Sequence, residues 1–226
     1  MSPRFSRPKR RGDLFFLVSF TLLRHIAPME EQSLYEEDGE PRYLTQAECK
    51  KLLACLKDWP DVEARYFIKF LYFTGTRLGE ALLILPSHFR FDLMAVMVPT
   101  LKRRQKKKPL RRIDLPKQVM EELDAAFSLR LRQKEEEQAP LWSWHKNTAL
   151  RRVKKIMLEA GLTRKAATAK ALRHAFGVRA IQKGVDLVTL QDLMGHADIN
   201  NTALYARAMG KERREITSKL WDDEEI

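Results

Sequence analysis

Apolar residues recur along this chain with two different periods, and the changes of period divide it into elements. "TQAECKKLLACLKDW" (45–59) sets Leu52, Leu53 and Leu56 on one helical face and opens with Thr45 and Glu48 at capping-box spacing, which predicts an amphipathic helix. A second helix, "VEARYFIKFLYF", is predicted to stop at Gly75, and a third, "RLGEALLIL", starts at once and ends before Pro86. "FDLMAVMVP" and "RRIDLP" are short β-prone runs joined by a polar, basic stretch, so they predict a hairpin with a long tip. From Pro116 onward the helical period returns in "KQVMEELDAAFSLRL", "TALRRVKKIMLEAG", "AKALRHAFGVRAIQKG", "DLVTLQDLMG" and "NTALYARA", interrupted by a charged break at "QKEEEQAP". The fold class expected is therefore mainly α with a small antiparallel β-sheet.

These elements place a domain at residues 43–210, flanked by segments of other character. Residues 1–29 form a basic and then apolar arm, "MSPRFSRPKRRG" preceding "LFFLVSFTLL". That apolar run falls well short of the roughly 20 residues needed to span a bilayer, and Arg24 and His25 follow it in place of a small-residue cleavage site. It reads as a short helix or arm packing on the domain or on DNA, with a membrane-surface segment or a cleaved signal as alternatives. Residues 30–42 are acidic and aperiodic and are expected to be a linker; residues 211–226 are expected to be a tail.

Charge narrows the partner. The 42 Lys and Arg against 30 Asp and Glu give a formal +12, which favours a polyanion, nucleic acid or an acidic membrane surface. Cys49 and Cys55 lie six apart in one predicted helix, a spacing that fits no disulfide or metal framework, so both are read as reduced packing residues in a cytoplasmic protein.

Four stretches could carry chemistry. "TGTRLGE" (74–80) puts Arg77 in the first turn of a helix, where a guanidinium and free backbone N–H groups can hold a phosphate together; pairing of Arg77 with Glu80 is the structural alternative. "LKRRQKKKPLRR" (101–112) carries eight basic residues, Lys102, Arg103, Arg104, Lys106, Lys107, Lys108, Arg111 and Arg112, read as phosphate contacts on the hairpin tip. In "AKALRHAFGVRAIQKG" helical spacing lines up Lys170, Arg173, His174 and Gly177 on one arc, which by itself reads as a solvated face. There His174 is read as a structural hydrogen-bonding residue, and Arg179 falls on the apolar side without an assigned role. "LMGHADINNTALYARA" (193–208) sets Tyr205 nine positions after His196. The aromatic residues of "YFIKFLYF" and "LWSW" are read as packing rather than stacking platforms.

Taken together, the order and local sequence of these pieces resemble the tyrosine recombinase (phage integrase) family, Xer-type members in particular. "TGTRLGE" resembles its first arginine box and "LRHAFGVRAIQKGVDLVTLQDLMGHADINNTALYA" its second, so that the resemblance covers residues 43–210. It implies that Arg77 and Arg173 clamp the nonbridging oxygens of a scissile phosphate, that His196 donates a hydrogen bond to it, that Glu80 supports Arg77, and that Tyr205 is the nucleophile. Lys102 is implied as the general acid, with Lys106 as the alternative. The family usually has His where this chain has Lys170, which keeps a donor but loses a group that exchanges protons near neutral pH. The family's N-terminal clamp domain is expected to be absent, an arm and linker standing in its place.

The implied function is site-specific DNA recombination through a 3′-phosphotyrosyl intermediate, without metal or cofactor. The biology is left open between plasmid resolution, integration and inversion. The implied partners are double-stranded DNA and further copies of the chain, as a dimer or tetramer; a helper protein in place of the clamp is left open. A type IB-like topoisomerase and a non-catalytic DNA-binding accessory protein are the alternative functions.

Overall fold

The computed structural model describes residues 33–101 and 109–207. The chain divides into two units, residues 1–33 and 34–226, and the architecture below is that of the second. The apolar arm, the hairpin-tip residues 102–108 and the tail lie outside the described residues.

Helix α1 (Gln46–Lys57) starts at the expected capping box: Thr45 Oγ1 accepts from the Glu48 N–H at 3.3 Å, and the Glu48 carboxylate accepts from the Thr45 N–H at 2.8 Å. Leu52 and Leu56 are fully buried on its inner face. Helix α2 (Val62–Thr74) is capped by Asp61 and ends where Gly75 takes φ +60°, a left-handed C-cap that glycine adopts without strain. Phe67, Ile68, Phe70 and Leu71 all point into the core, so α2 is the axis of the domain.

The third helix is shorter than its sequence predicts. Only Leu78–Ala81 forms a turn of α3 before the chain enters a 3-10 turn at Pro86–His88. Pro86 disfavours helical geometry at Leu85, and the Ile84 carbonyl is taken by the Leu141 N–H at 2.9 Å, which anchors the chain in a non-helical path.

Three antiparallel strands follow in the order β1 (Phe89–Arg90), β2 (Ala95–Pro99), β3 (Leu110–Asp114), with Val96 opposite Ile113 and Val98 opposite Arg111. The expected hairpin is thus present, and β1 is an addition too short to show a period of two. "KQVMEELDAAFSLRL" is two helices, α4 (Lys117–Phe127) and α5 (Leu129–Lys134), because Ser128 between them sits at φ +51°. Then come α6 (Lys146–Glu159), α7 (Ala169–Gln182), α8 (Leu187–Met194) and α9 (Asn200–Arg207). The domain is mainly α with a small antiparallel sheet.

Two apolar clusters hold these elements. The larger surrounds Trp142, whose ring meets Phe67, Phe70 and Phe127 at centroid distances of 5.1, 5.3 and 5.7 Å and whose Nε1 donates to the Glu63 carbonyl at 3.1 Å. The smaller consists of Leu34, Val178, Ile181, Leu190, Met194 and Tyr205. Helix α7 is the wall between them, giving Ala171, Leu172 and Ala175 to the first and Val178 and Ile181 to the second. Its polar arc is therefore not a solvated face: Arg173 and Gly177 are buried, and Lys170 alone of the arc is exposed. Arg179 also finds its reason, since its guanidinium lies 3.9 Å from the Tyr72 ring centre and donates to the Tyr72 carbonyl at 2.8 Å.

Residues 34–42, expected within a linker, fold onto the domain. Leu34 is buried, Tyr35 pairs with Pro41, and the Arg42 N–H donates to the Leu34 carbonyl at 2.7 Å. Arg164 secures the turn by donating to the Pro41 and Tyr43 carbonyls at 2.6 and 3.0 Å. Cys49 and Cys55 are free thiols; burial pushes that of Cys49 up to about 11. Among the described residues no helix is long and apolar enough to cross a membrane.

Candidate active site

The site is built where three helix ends meet. Gly75 turns the chain out of α2 so that Arg77 becomes the N-cap of α3, and the Gly75 carbonyl is left pointing at α7. Arg173 reaches it, donating through Nη1 at 2.6 Å, and through Nη2 donates to the Met194 carbonyl at the end of α8, also at 2.6 Å. Arg173 is 7% exposed, so its guanidinium is a cation held between the carbonyl ends of two helices, where the peptide dipoles favour positive charge. Burial first, then the neighbouring charge of Arg77, lowers its pKa to about 9, which leaves it charged at neutral pH.

Arg77 is fixed by Glu80. Its Nη1 donates to Glu80 Oε1 at 2.8 Å and to the Gly195 carbonyl at 3.5 Å, and its backbone N–H donates to Glu80 Oε2 at 3.0 Å. Glu80 is completely buried and also accepts from Arg111 Nη2 at 2.6 Å. Burial raises the Glu80 carboxyl, but the hydrogen bond and charge of Arg111, with the backbone N–H and charge of Arg77, outweigh it and hold the group below the ordinary carboxylate value. The Arg77–Glu80 pair that the sequence offers as the structural alternative is present, and it leaves Arg77 partly exposed.

Tyr205 enters from α9 and is 1% exposed. Its ring lies against Gly177, where an added Cβ would come within 2.5 Å of Tyr205 Cε1, so glycine is what admits the phenol to the wall of α7. The His196 ring stacks with that of Tyr205 at 6.4 Å with planes 7° apart, and its Nδ1 shares a 3.0 Å hydrogen bond with the buried Thr202 hydroxyl. The Tyr205 hydroxyl meets His174 Nδ1 at 2.9 Å. Burial pushes the phenol up to about 12 against the pull of Arg173 and Arg77.

Arg77, Glu80, Arg173, His196 and Tyr205 are therefore brought together, although they come from the two ends of the domain. Lys170 lies one turn before His174 on an open cleft of about 960 Å³ that the turn at residues 36–42 also lines. A second cleft, of about 460 Å³, lies beside His196 and the ends of β2 and β3. Arg112 faces outward, half-exposed, with Asp114. Arg111 does not: it turns inward, giving Nε to the Leu193 carbonyl at 2.9 Å and Nη1 to Thr100 at 3.1 Å as well as Nη2 to Glu80. Its inward direction could have been found from strand alternation, because it stands two residues before the buried Ile113. Lys102, Arg103, Arg104, Lys106, Lys107 and Lys108 lie outside the described residues. Among the described residues no group of three or more His, Cys, Asp or Glu is placed to hold a metal ion.

The sequence profile described as the phage integrase family matches residues 42–212, about three quarters of the chain. The chain belongs to the phage integrase family. Similar curated members include the tyrosine recombinase XerA of Pyrococcus furiosus, 29% identical over 191 residues covering 79% of this chain and 62% of that protein. The tyrosine recombinase XerD of Agrobacterium fabrum is 39% identical over 66 residues, 29% of this chain and 20% of that one. The chain thus spans less than two thirds of either relative. Among solved structures, the XerA recombinase crystal structure matches with a TM-score of 0.64 at 22% identity, covering 78% of this chain and 64% of that one. The XerH recombinase bound to difH substrate in a pre-cleavage complex matches at 0.63 and 22%, covering 90% and 64%. The catalytic domain of bacteriophage HP1 integrase matches at 0.58 and 18%, covering 78% and 93%. At these identities the structural likeness speaks for the fold, which is that of a phage integrase family catalytic domain.

Proposed function

We propose that this domain breaks and rejoins DNA through Tyr205, as a site-specific recombinase. The observation that carries the reading is the gathering of two guanidinium groups, Arg77 and Arg173, on the Gly195 and Met194 carbonyls at the end of α8, with the buried Tyr205 packed on the same helix α7 that carries Arg173. Tyrosine is a weak nucleophile at neutral pH, so attack needs the developing phosphorane charge to be neutralised as the bond forms. Arg77 and Arg173 supply that charge to the nonbridging oxygens, already oriented by Glu80 and by helix-end carbonyls, and His196 adds a donor. Attack by the phenolic oxygen gives a 3′-phosphotyrosyl link and frees a 5′-hydroxyl, conserving the phosphodiester for rejoining to another strand. Lys102, or Lys106, in the sequence between β2 and β3, is assigned the proton donor for the leaving oxygen.

The partners follow from this chemistry: duplex DNA, and a second pair of copies to exchange strands. The neighbour XerH is described on a palindromic difH substrate after cleavage, which supports paired copies on an inverted site for this chain too. A helper protein is a further candidate partner.

The test is covalent capture. A duplex nicked beside the scissile phosphate traps the adduct, because the fragment carrying the 5′-hydroxyl diffuses away. Wild-type protein is expected to give a slow-migrating protein–DNA band on a denaturing gel, and Tyr205→Phe to bind the same duplex and give none. A band persisting in Tyr205→Phe would move the nucleophile elsewhere; binding without any wild-type adduct would make the chain a DNA-binding accessory protein.

A further inference from the structure

The hydrogen bond between His174 and Tyr205 lies outside the roles assigned so far. Among the described residues, His174 Nδ1 is the only hydrogen-bond partner of the Tyr205 hydroxyl. The phenol has one proton to give, so the pair is satisfied when the imidazole carries its proton on Nε2 and accepts at Nδ1. His174 also has a second face. It lines the open cleft of about 960 Å³ with Lys170, so one ring touches both the buried hydroxyl and a route to solvent.

Resting on the reading of Tyr205 as nucleophile, we propose that His174 is a catalytic residue: its Nδ1 holds the Tyr205 hydroxyl and accepts the phenolic proton as the oxygen attacks phosphorus. In that step the Tyr205 O–H bond breaks and its proton passes to Nδ1, giving an imidazolium. An oxygen lone pair forms the O–P bond, the P–O5′ bond breaks with its electron pair going to the 5′ oxygen, and that oxygen takes a proton from the leaving-group acid. The imidazolium then loses its proton to water in the cleft, or returns it when the strand rejoins.

The surroundings fit an acceptor. Burial first, and then the charges of Lys170 and Arg173 on its own helix and Arg42 on the turn, lower His174 to about 4, so the ring is unprotonated throughout the neutral range. Across the cleft stand the acidic groups Glu36, Glu37, Asp38 and Glu40 with the bases Arg164 and Lys165; on the other side lie Tyr205 and, stacked on it, His196. Lys170, exposed at the rim, makes no hydrogen bond to Tyr205. A neutral acceptor whose conjugate acid is far stronger than the phenol does not strip the proton beforehand; it takes it only as the O–P bond forms, which suits a nucleophile that must stay unreactive until phosphate arrives.

Single-turnover adduct formation on the nicked duplex, followed from pH 6 to pH 9, tests this with His174→Ala, His174→Asn and Tyr205→Phe. Asn sets a carbonyl near the place of Nδ1, so it keeps the hydrogen bond and cannot take the proton. Both His174 variants are expected to bind DNA normally and to form adduct about 10²- to 10⁴-fold more slowly than wild type at pH 7. Their rates should climb about tenfold per pH unit as the tyrosinate fraction rises, while the wild-type rate stays flat. Added imidazole, entering through the cleft, should accelerate His174→Ala. Wild-type rates in both variants, or a full rate with a flat profile in His174→Asn, would overturn the inference; should His174→Ala fail to fold, His174→Asn decides. If wild type forms no adduct, or Tyr205→Phe still does, the assignment of the nucleophile fails and takes this step with it.

Discussion

The two apolar clusters on either side of α7 differ in kind. The larger is built from aromatic rings locked edge to face around Trp142, it unites α1, α2, the sheet and α6, and no residue with an assigned chemical role lies in it. The smaller has six buried members, and one is Tyr205, the proposed nucleophile. The arginines are tied to helix-end carbonyls on both sides of α7 and to the buried Glu80, whereas Tyr205 is held by a thin apolar layer, one hydrogen bond to His174 and stacking on His196. The guanidinium groups are thus pinned by buried carbonyls and a buried carboxylate, while Tyr205 sits on a part with much less burial to lose. That division suits the proposed chemistry, since electrostatic stabilisation works best when it need not reorganise, while a nucleophile must travel to its target.

Substitutions can break or sharpen this contrast. The largest effect is expected in the deep core: Phe70→Ala should cost about 3–5 kcal/mol in urea unfolding, by lost transfer energy and a cavity. Adduct formation per folded molecule should nevertheless be unchanged; a folded Phe70→Ala protein unable to form adduct would show that the two halves are not separable.

Next comes pH. His174 is partly buried and neutral, with its pKa lowered from 6.5 to about 4, so between these values the undocked or unfolded chain binds a proton that the folded one does not. Stability is therefore present in full above pH 6.5 and is lost as pH falls toward 4, by up to about 3 kcal/mol. Melting curves across that range should show the loss in wild type and lack that part of the slope in His174→Asn; identical slopes would mean that the imidazole does not stay neutral against Tyr205.

The smallest effect is the most local. Gly177→Ala puts a methyl where the Tyr205 ring lies, at a cost of about 1–3 kcal/mol that swinging the tyrosine out relieves. Deuterium exchange should accelerate in α9 and not in α2. Equal acceleration in both would make the smaller cluster an extension of the larger.

The legible part of this fold was its punctuation. Thr45 with Glu48, Gly75 after α2 and Gly195 after α8 each mark a helix end by side-chain or backbone chemistry that works within a few residues, and each stands where the sequence indicates. What stayed hidden depends on partners distant in sequence. Ser128 is held in a left-handed conformation that its type does not announce. Arg111 looks like one more base in a run of eight until Glu80 and Leu193 are brought beside it. The α7 arc reads as solvated because spacing reveals which residues share a face and not what covers that face. His174 was legible as a hydrogen-bonding residue; that its partner is Tyr205 follows only from the packing of α9 on α7.

The contacts that close the site also set an order of assembly. Arg173 reaches Gly75 across 98 residues, Arg77 reaches Gly195 across 118, and Arg111 reaches Leu193 across 82. Each closes a long loop, whose entropy must be overcome before the contact returns anything, so the pocket is completed late in folding. During synthesis from the N-terminus, α8 and then Tyr205 emerge after every arginine of the site. A chain interrupted anywhere before residue 205 therefore lacks the proposed nucleophile, and the site is complete only with the finished fold.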